Sequence, residues 1–255
     1  MRSFSSWLVI FGALYIVSSA AFARVSVSTL PGAKSVLMVL LNDEVTKDDA
    51  TILMKVAEEM DRKFKGDWHI LAKLNSNGGS VTAALQIGRL LRKVGSMATV
   101  EADAICMSSC VYILAGAANR AVDGTVGIHR PYESEGKEVS QSAQKAKYAR
   151  LGAEIKSYLA EVNIPVKLYD DELYISPENV KILSDSELQG YGLNQNDPFT
   201  EEADAAKESK KLGITRSVLA ERKAKANRRC PWNGDNSRET MLILLECRDA
   251  IVKGR

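Results

Sequence analysis

Residues 69–93, HILAKLNSNGGSVTAALQIGRLLRK, join a predicted strand to a predicted helix and decide the fold class. The first six residues are mainly apolar and are typical of a strand. The Asn-Ser-Asn-Gly-Gly sequence at 75–79 is a turn signal, and Ser80 supplies an oxygen that caps a helix. The helix is predicted to run to about Lys93 with apolar residues on one face: Ala84, Leu85, Ile87, Leu90 and Leu91.

The alternation of strand and helix continues on both sides of this stretch. Further strands and helices are predicted, in chain order, at 35–41, 50–64, 97–102, 111–118, 125–129 and 138–162. Alternating strands and helices produce parallel βαβ units with right-handed crossovers. We therefore predict an α/β domain over 24–194 and a basic helical C-terminal extension over 195–255.

Composition excludes several classes of protein. The 255 residues carry 34 basic and 32 acidic side chains, so the net charge of +2 provides no overall field for binding nucleic acid. Four cysteines without C-x-x-C spacing are too few for a disulfide scaffold or a structural zinc site. Two histidines argue against a histidine-rich metal site. We therefore expect no metal, no cofactor and no nucleic-acid partner.

The amino terminus resembles a secretory signal. Arg2 precedes eleven apolar residues at 7–17, and small residues follow at Ala21 and Ala23. This pattern is typical of a signal peptide that is cleaved, here after Ala23. Eleven helical residues reach about half of the hydrocarbon core of a bilayer, so an uncleaved anchor is the weaker interpretation. We predict a signal peptide over 1–23 and a periplasmic or secreted product.

Three features place candidate chemistry at the carboxyl ends of neighbouring strands. Gly78 and Gly79 expose backbone N–H groups beside a helix N-terminus, where an oxyanion is stabilised; a plain turn is the alternative. Ser108 follows a strand and opens an apolar helix, as a nucleophile can; an N-cap serine is the alternative. His129 ends a strand and can accept the serine proton; a surface or hydrogen-bonded histidine is the alternative, and it is the preferred interpretation of His69.

Four segments resemble the Clp protease proteolytic subunit of the Clp/crotonase superfamily, in this order: NGGSV at 77–81, CMSSC at 106–110, ILAG at 113–116 and GIHRP at 127–131. They are most similar to exported relatives with a C-x-S-x-C nucleophile segment. The resemblance covers about residues 35–193 and does not cover 195–255. It implies a spiral of ββα units, amide hydrolysis by serine and histidine, a peptide or protein substrate and a homo-oligomer.

Carried over position by position, the resemblance makes Ser108 the nucleophile and His129 the general base and acid. Gly78 and, less securely, Gly79 match the glycines of the family's oxyanion hole. The interval from Ser108 to His129 is a few residues shorter than in the Clp subunit, which we interpret as a trimmed loop.

Alternatives remain for the residues beside the nucleophile and for the base. Ser109 is a rival nucleophile, and the N–H of either Met107 or Ser109 is the second donor of the oxyanion hole. Other members of the superfamily pair serine with lysine, which makes Lys145 and Lys147 on the next helix further candidates for the base. A solvated helix face is the preferred interpretation of both lysines.

The third position of the triad departs from the family. Val180 stands where the Clp subunit has an aspartate. The alternatives for orienting His129 are a backbone carbonyl or one of four side chains: Asp170, Asp171, Glu178 and Asn179. Loss of a well-placed third member can lower turnover by about 10⁴. The competing hypothesis is therefore a catalytically inactive binding or assembly module in the periplasm.

The four cysteines form two pairs in the sequence. A disulfide and two buried thiols are weighted equally for Cys106 and Cys110, which flank the nucleophile. Cys230 and Cys247 are predicted to form a disulfide that ties down the last helix. The stretch 207–229 carries nine basic and two acidic residues. A solvated helix face is the preferred interpretation of this stretch, and a weak contact with an anionic membrane surface is the alternative.

Overall fold

A mostly parallel sheet of eight strands runs through the described part of the chain, which confirms the predicted α/β class. The structure, a computed structural model, describes residues 25–30, 33–132, 140–231 and 238–255. The predicted signal peptide and its cleavage after Ala23 lie outside these residues.

The strands and helices alternate through most of the chain. The strands are β1 (Val25–Leu30), β2 (Ala33–Val45), β3 (His69–Gly79), β4 (Met97–Val100), β5 (Ile105–Met107), β6 (Asn119–Val122), β7 (Thr125–Ile128) and β8 (Lys181–Ile182). The helices are α1 (Lys47–Phe64), α2 (Val81–Lys93), α3 (Cys110–Gly116), α4 (Gln141–Glu161), α5 (Lys167–Glu172), α6 (Asp185–Gly190), α7 (Pro198–Leu212), α8 (Arg216–Arg229) and α9 (Arg238–Val252).

The sheet branches at β3, and this branch creates the edge on which the candidate site lies. The strand order is β1-β2-β3-β5-β7-β8, while β4 pairs with β3 and with β6. Ala72, in the first half of β3, pairs with Ala98 of β4, whereas Ser76 pairs with Cys106 of β5. The pairings among β2 to β7 are parallel, and β1 and β8 add antiparallel edges. The carboxyl ends of β3, β5 and β7 therefore meet.

The strand β3 continues through the stretch that the sequence predicts as a turn. Asn75 pairs with Asn42 of β2, and Gly79 pairs with Val45. The predicted turn at 75–79 is therefore wrong, because pairing with strands distant in the sequence outweighs the local preference of Asn and Gly. The predicted cap is confirmed: the Ser80 hydroxyl accepts a hydrogen bond from the N–H of the third residue of α2 at 3.3 Å.

Helices α2 and α3 cross in direct backbone contact. A methyl group added to the Cα of Gly116 would lie 2.6 Å from the carbonyl carbon of Gly88, and one added to Gly88 would lie 2.9 Å from the carbonyl oxygen of Tyr112. The hydroxyl of Tyr158, on α4, donates a hydrogen bond to the same carbonyl at 2.5 Å. Positions 88 and 116 therefore both require glycine.

The C-terminal extension begins at a segment that is bound to the sheet domain. The side chain of Asp197 caps α7 by accepting a hydrogen bond from the Thr200 N–H at 2.9 Å, and it lies 3.2 Å from the Arg92 guanidinium. The Asp197 N–H donates to the Ala118 carbonyl at 2.7 Å. Burial raises the pKa of Asp197, but these hydrogen bonds and Arg92 outweigh burial and lower the pKa to about 2. A charged carboxylate therefore joins the extension to the domain.

The last two helices are linked to each other. Cys230, at the end of α8, lies at disulfide-bonding distance from Cys247 of α9, with 6.1 Å between their Cα atoms. Arg248 donates a hydrogen bond to the Cys230 carbonyl at 3.2 Å, and Arg222 donates to the Val252 carbonyl at 3.1 Å. No helix of the described residues is long and apolar enough to cross a membrane.

Candidate active site

The ends of three parallel strands bring four of the predicted site residues to one edge of the sheet. Strand β3 ends at Gly78 and Gly79, Ser108 follows β5, and His129 follows β7. Met107 pairs with Gly127, and the N–H of Ser108 donates to the Gly127 carbonyl at 2.9 Å. The carboxyl edge of a parallel sheet is where α/β proteins most often bind ligands. The geometry is therefore suited to a shared site.

Ser108 has a backbone conformation that is rare for serine. Its φ angle is +55°, in the left-handed region, which costs about 1–2 kcal/mol for a residue with a Cβ atom. Two hydrogen bonds hold the residue: its N–H donates to Gly127, and its carbonyl accepts from the Val111 N–H at 3.0 Å. The N-cap interpretation of Ser108 is wrong, because Ser109 is the cap residue of α3 and its hydroxyl makes no capping hydrogen bond. Strained backbone of this kind is concentrated at functional sites.

Gly78 lies against the turn that carries Ser108. Its φ angle is +94°, and an added methyl group would lie 2.7 Å from the Met107 carbonyl oxygen, 2.8 Å from Ser108 Cβ and 3.0 Å from the Ser109 nitrogen. Only glycine allows this approach. The Gly78 N–H donates to the Ser76 hydroxyl at 3.1 Å. Gly78 therefore supplies space beside the serine, and its role as an oxyanion donor stays a prediction.

The remaining backbone donors of the predicted oxyanion hole differ in availability. Gly79 has a φ angle of +143° and packs on β2, where an added methyl group would lie 2.9 Å from the Val45 nitrogen. Among the hydrogen bonds of the described residues, none uses the Ser109 N–H. The Ser109 nitrogen follows Ser108 in the chain and lies 3.0 Å from the position that a methyl group on Gly78 would take. Because no acceptor among the described residues uses it, the Ser109 N–H is available to an oxyanion.

Ser109, the rival nucleophile, is buried. Its side chain is 1% exposed, and its Oγ has no hydrogen-bond partner in the described part of the chain. Ser108 is only partly buried. The structure therefore gives a substrate better access to Ser108 than to Ser109.

The cysteines that flank Ser108 are joined across the turn. Cys106 is in β5 and Cys110 begins α3; their Cα atoms are 5.3 Å apart, and both side chains are fully buried. The two cysteine pairs of the chain are thus both at disulfide-bonding distance. Free buried thiols, the alternative for Cys106 and Cys110, are not what the structure shows.

The ring of His129 is held by a backbone carbonyl. The side chain is 8% exposed, and Nδ1 lies 3.0 Å from the carbonyl oxygen of Arg130. A proton on Nδ1 is donated to this carbonyl, which leaves Nε2 as the acceptor that a general base requires. The Tyr132 ring lies beside it, with 5.7 Å between the ring centroids. No hydrogen bond joins the His129 ring to Ser108 among the contacts of the described residues.

Among the residues that the structure describes, no carboxylate takes the third position of a triad. Val180 lies one residue beyond the pairing of Lys181 with Ile128, beside His129, and its side chain is 47% exposed. A methyl group on Gly127 would lie 2.6 Å from Val180 Cγ1 and 2.5 Å from the Met107 sulfur, so the surroundings are apolar.

The polar alternatives for the third position all have other partners. Asp170 pairs with Lys156 at 2.8 Å, and Asp171 pairs with Lys167 at 2.5 Å. The Asn179 amide donates to the Ser176 hydroxyl at 2.9 Å. Hydrogen bonds from its own N–H and from Ser176 hold the pKa of the Glu178 carboxyl below its usual value, and Arg130 is the charged group that acts on it. Of the alternatives for orienting His129, the described residues thus show a backbone carbonyl, that of Arg130, hydrogen-bonded to the ring.

The lysine alternative has little support in the geometry. Lys145 and Lys147 are exposed on α4, whereas a lysine base must be desolvated. Lys145 lines a cleft of about 840 Å³ that is also bordered by Arg130, Tyr132 and Tyr169. His69 is a structural residue: its Nδ1 lies 3.0 Å from the Val94 carbonyl oxygen.

One buried carboxyl was not found from the sequence. Glu172, at the end of α5, is 1% exposed and accepts a hydrogen bond from the Tyr112 hydroxyl of α3. Burial raises the pKa of Glu172 to about 8. The YDDEL stretch around it has three acidic residues, and nothing local distinguishes the buried one. Its partner lies four residues after Ser108, but His129 is not among its contacts.

The basic stretch of the extension is partly neutralised. Lys223 lies 2.7 Å from Glu208, and Arg216 pairs with Glu202. The described residues contain no group of three or more His, Cys, Asp or Glu side chains that could hold a metal ion.

No protein-family model matches the chain, and no curated protein matches it significantly.

Proposed function

We propose that this chain is an exported serine hydrolase, a peptidase of the Clp/crotonase superfamily, in which Ser108 is the nucleophile and His129 is the general base and acid. One observation carries the proposal: a serine with a φ angle of +55° lies against Gly78 and beside the unused Ser109 N–H, at the strand end next to His129. A nucleophile, a base and an oxyanion donor at one sheet edge are the parts that acyl transfer requires.

The proposed reaction follows from these positions. His129 Nε2 takes the Ser108 proton as Oγ attacks the amide carbonyl, and the Ser109 N–H stabilises the oxyanion, with Gly78 or Gly79 as the second predicted donor. His129 then protonates the leaving amine, and water hydrolyses the acyl-enzyme by the same steps. Because the Arg130 carbonyl cannot stabilise an imidazolium as a carboxylate does, we expect turnover well below that of a complete triad.

Several observations support the family and the compartment. The segments β4-β5 and β6-β7 each give one strand to each branch of the sheet, which fits a spiral of ββα units. Two disulfides fit an oxidising compartment, in agreement with the signal-like residues 1–23. A peptide or protein substrate and a homo-oligomer follow from the family resemblance. A weak membrane-surface contact through 207–229 remains a minor proposal.

The test is covalent labelling of the mature protein by a fluorophosphonate, whose phosphorus is attacked by an activated serine with loss of fluoride. We expect labelling of the wild type, and none of Ser108→Ala. The His129→Ala variant should lose most labelling, while the matched controls Ser109→Ala and His69→Ala keep it. Absence of Ser108-dependent labelling at every pH from 6 to 9 would contradict the proposal.

The alternative function is a binding or assembly module without catalysis. Val180 in the place of a carboxylate, and the missing hydrogen bond between Ser108 and His129, favour this alternative. The cleft of about 840 Å³ that is lined by Arg130 and Tyr132 is then the candidate binding surface. If the correctly folded protein is not labelled, the result favours the binding or assembly module.

A further inference from the structure

The Cys106–Cys110 disulfide spans the residues on which the proposed mechanism depends. Ser108 lies midway between the two cysteines, and the Ser109 N–H lies within the same five-residue loop. The bridge connects the end of β5 to the first residue of α3, so it fixes the distance between the strand and the helix at the turn. The nucleophile and the oxyanion donor thus share one covalent ring.

The conformation inside the ring is one that serine does not adopt readily. Ser108 has a positive φ angle, and both its Cβ atom and the nitrogen of Ser109 lie close to Gly78. The noncovalent restraints are the hydrogen bond from the Ser108 N–H to Gly127 and those of the first turn of α3. With the bridge open, the turn can relax to a negative φ angle, which moves the hydroxyl and the N–H together.

We propose that the activity of this hydrolase requires the Cys106–Cys110 disulfide: the site is active when the disulfide is formed and inactive when both cysteines are reduced. This inference rests on the proposed function and adds the condition under which it operates. Reduction by dithiothreitol breaks the S–S bond, two protons and two electrons produce two thiols, and dithiothreitol is oxidised to its cyclic disulfide.

Burial determines when the bridge forms. Cys106 and Cys110 are fully buried, whereas Cys247 is only partly buried. Because thiol–disulfide exchange needs access to a sulfur atom, small thiols reach the Cys230–Cys247 pair first in the folded protein. The inner bridge is therefore set while the chain folds. A chain that folds in the reducing cytosol stays inactive, and one that folds after export becomes active.

The experiment compares two double variants of the mature protein. Cys106→Ala/Cys110→Ala removes the inner bridge, and the matched control Cys230→Ala/Cys247→Ala removes the outer one. We measure the rate constant of fluorophosphonate labelling at Ser108 together with far-ultraviolet circular dichroism. The first variant should label about 100-fold more slowly with an unchanged helical signal, since a displacement of about 1 Å at a nucleophile has an effect of that size. The control should label at the wild-type rate.

A second measurement uses the wild-type sequence. Protein refolded in dithiothreitol should label as slowly as the first variant, and reoxidation should restore the rate. Equal labelling of the oxidised protein and the first variant would overturn the inference while leaving the proposed function intact. Loss of labelling in proportion to loss of helical signal would also overturn it, because the bridge would then hold the fold and not the nucleophile. An unlabelled wild type would instead remove the proposed function itself.

Discussion

The sheet domain and the C-terminal extension each contain one disulfide, but the surroundings of the two bridges differ. Every residue of α3, which follows the inner bridge, is buried. In α7 and α8, by contrast, only Ser209, Leu219 and Ala226 are buried. The inner bridge therefore lies in a densely packed core, whereas the outer bridge joins the largely exposed helix α8 to α9, whose described side chains are exposed or half-buried.

This difference determines how far the effect of a substitution extends. In the sheet domain, strands that are distant in sequence contact one another around Ser108, so a local change is transmitted to the site. In the extension, stability comes from helix caps, ion pairs and the Cys230–Cys247 bridge, which act within one or two turns. Changes in the extension should leave the candidate site intact.

The largest difference between the two regions is expected when one methyl group is added to a glycine of each. Gly78→Ala places Cβ 2.7–3.0 Å from the backbone and side chain of the Ser108 turn at a positive φ angle, which should lower the free energy of unfolding by about 3–4 kcal/mol. Gly213→Ala, at φ +64° with no heavy atom within 4 Å, should cost only about 1 kcal/mol. Urea unfolding of both variants measures the difference. Equal losses would remove the contrast between the regions.

Between pH 5 and 8.5, a pH dependence of stability should arise in the core and not in the extension. The pKa of Glu172 is about 8 in the folded protein and about 4.5 in the unfolded chain. Between these values the unfolded chain releases a proton that the folded protein keeps, so the free energy of unfolding falls as pH rises from about 4.5 to 8. Glu172→Gln removes the ionisable group and should flatten this part of the profile.

The control for Glu172 lies in the extension. Glu208 pairs with Lys223 at the surface, so Glu208→Gln should leave the same part of the profile unchanged. Thermal unfolding of the three proteins from pH 5 to 8.5 provides the measurement. A wild-type slope retained in Glu172→Gln would show that another group titrates.

The smallest effect on the protein as a whole is expected from opening the outer bridge. Cys230→Ala/Cys247→Ala should reduce the local stability of α9 by about 2–3 kcal/mol, because the bridge closes a loop of 17 residues. Hydrogen exchange of the α9 amides detects the loss, and protection in β3, β5 and β7 should not change. Faster exchange in those strands would mean that the extension supports the sheet.

Local signals in the sequence identified the elements that local chemistry specifies. The helix α2 was predicted from its apolar face and from Ser80, and its cap has the expected hydrogen bond. The pairing of Asn75 to Gly79 with β2 was missed, because it depends on a strand about 30 residues away. Glu172 was missed for the same reason: its partner Tyr112 lies 60 residues away in the sequence, and the two neighbouring acids are not buried.

The inner cysteine pair shows where prediction from spacing stops. Two cysteines four residues apart in a regular helix lie near the limit for a disulfide, so the sequence left two interpretations open. The strand-to-helix turn and the positive φ angle of Ser108 bring the two Cα atoms to 5.3 Å. The pairing thus accompanies a backbone conformation that no sequence pattern specifies for serine.

The contact between Gly88 and Gly116 sets a mechanical property of the site. Helix α2 starts beside Gly78, helix α3 starts beside Ser108, and the two helices touch backbone to backbone where they cross. The separation of the two helix starts is therefore governed by the radii of backbone atoms and not by the sizes of side chains. Side chains elsewhere in the core can therefore change without widening the gap between Gly78 and Ser108, as long as positions 88 and 116 remain glycine.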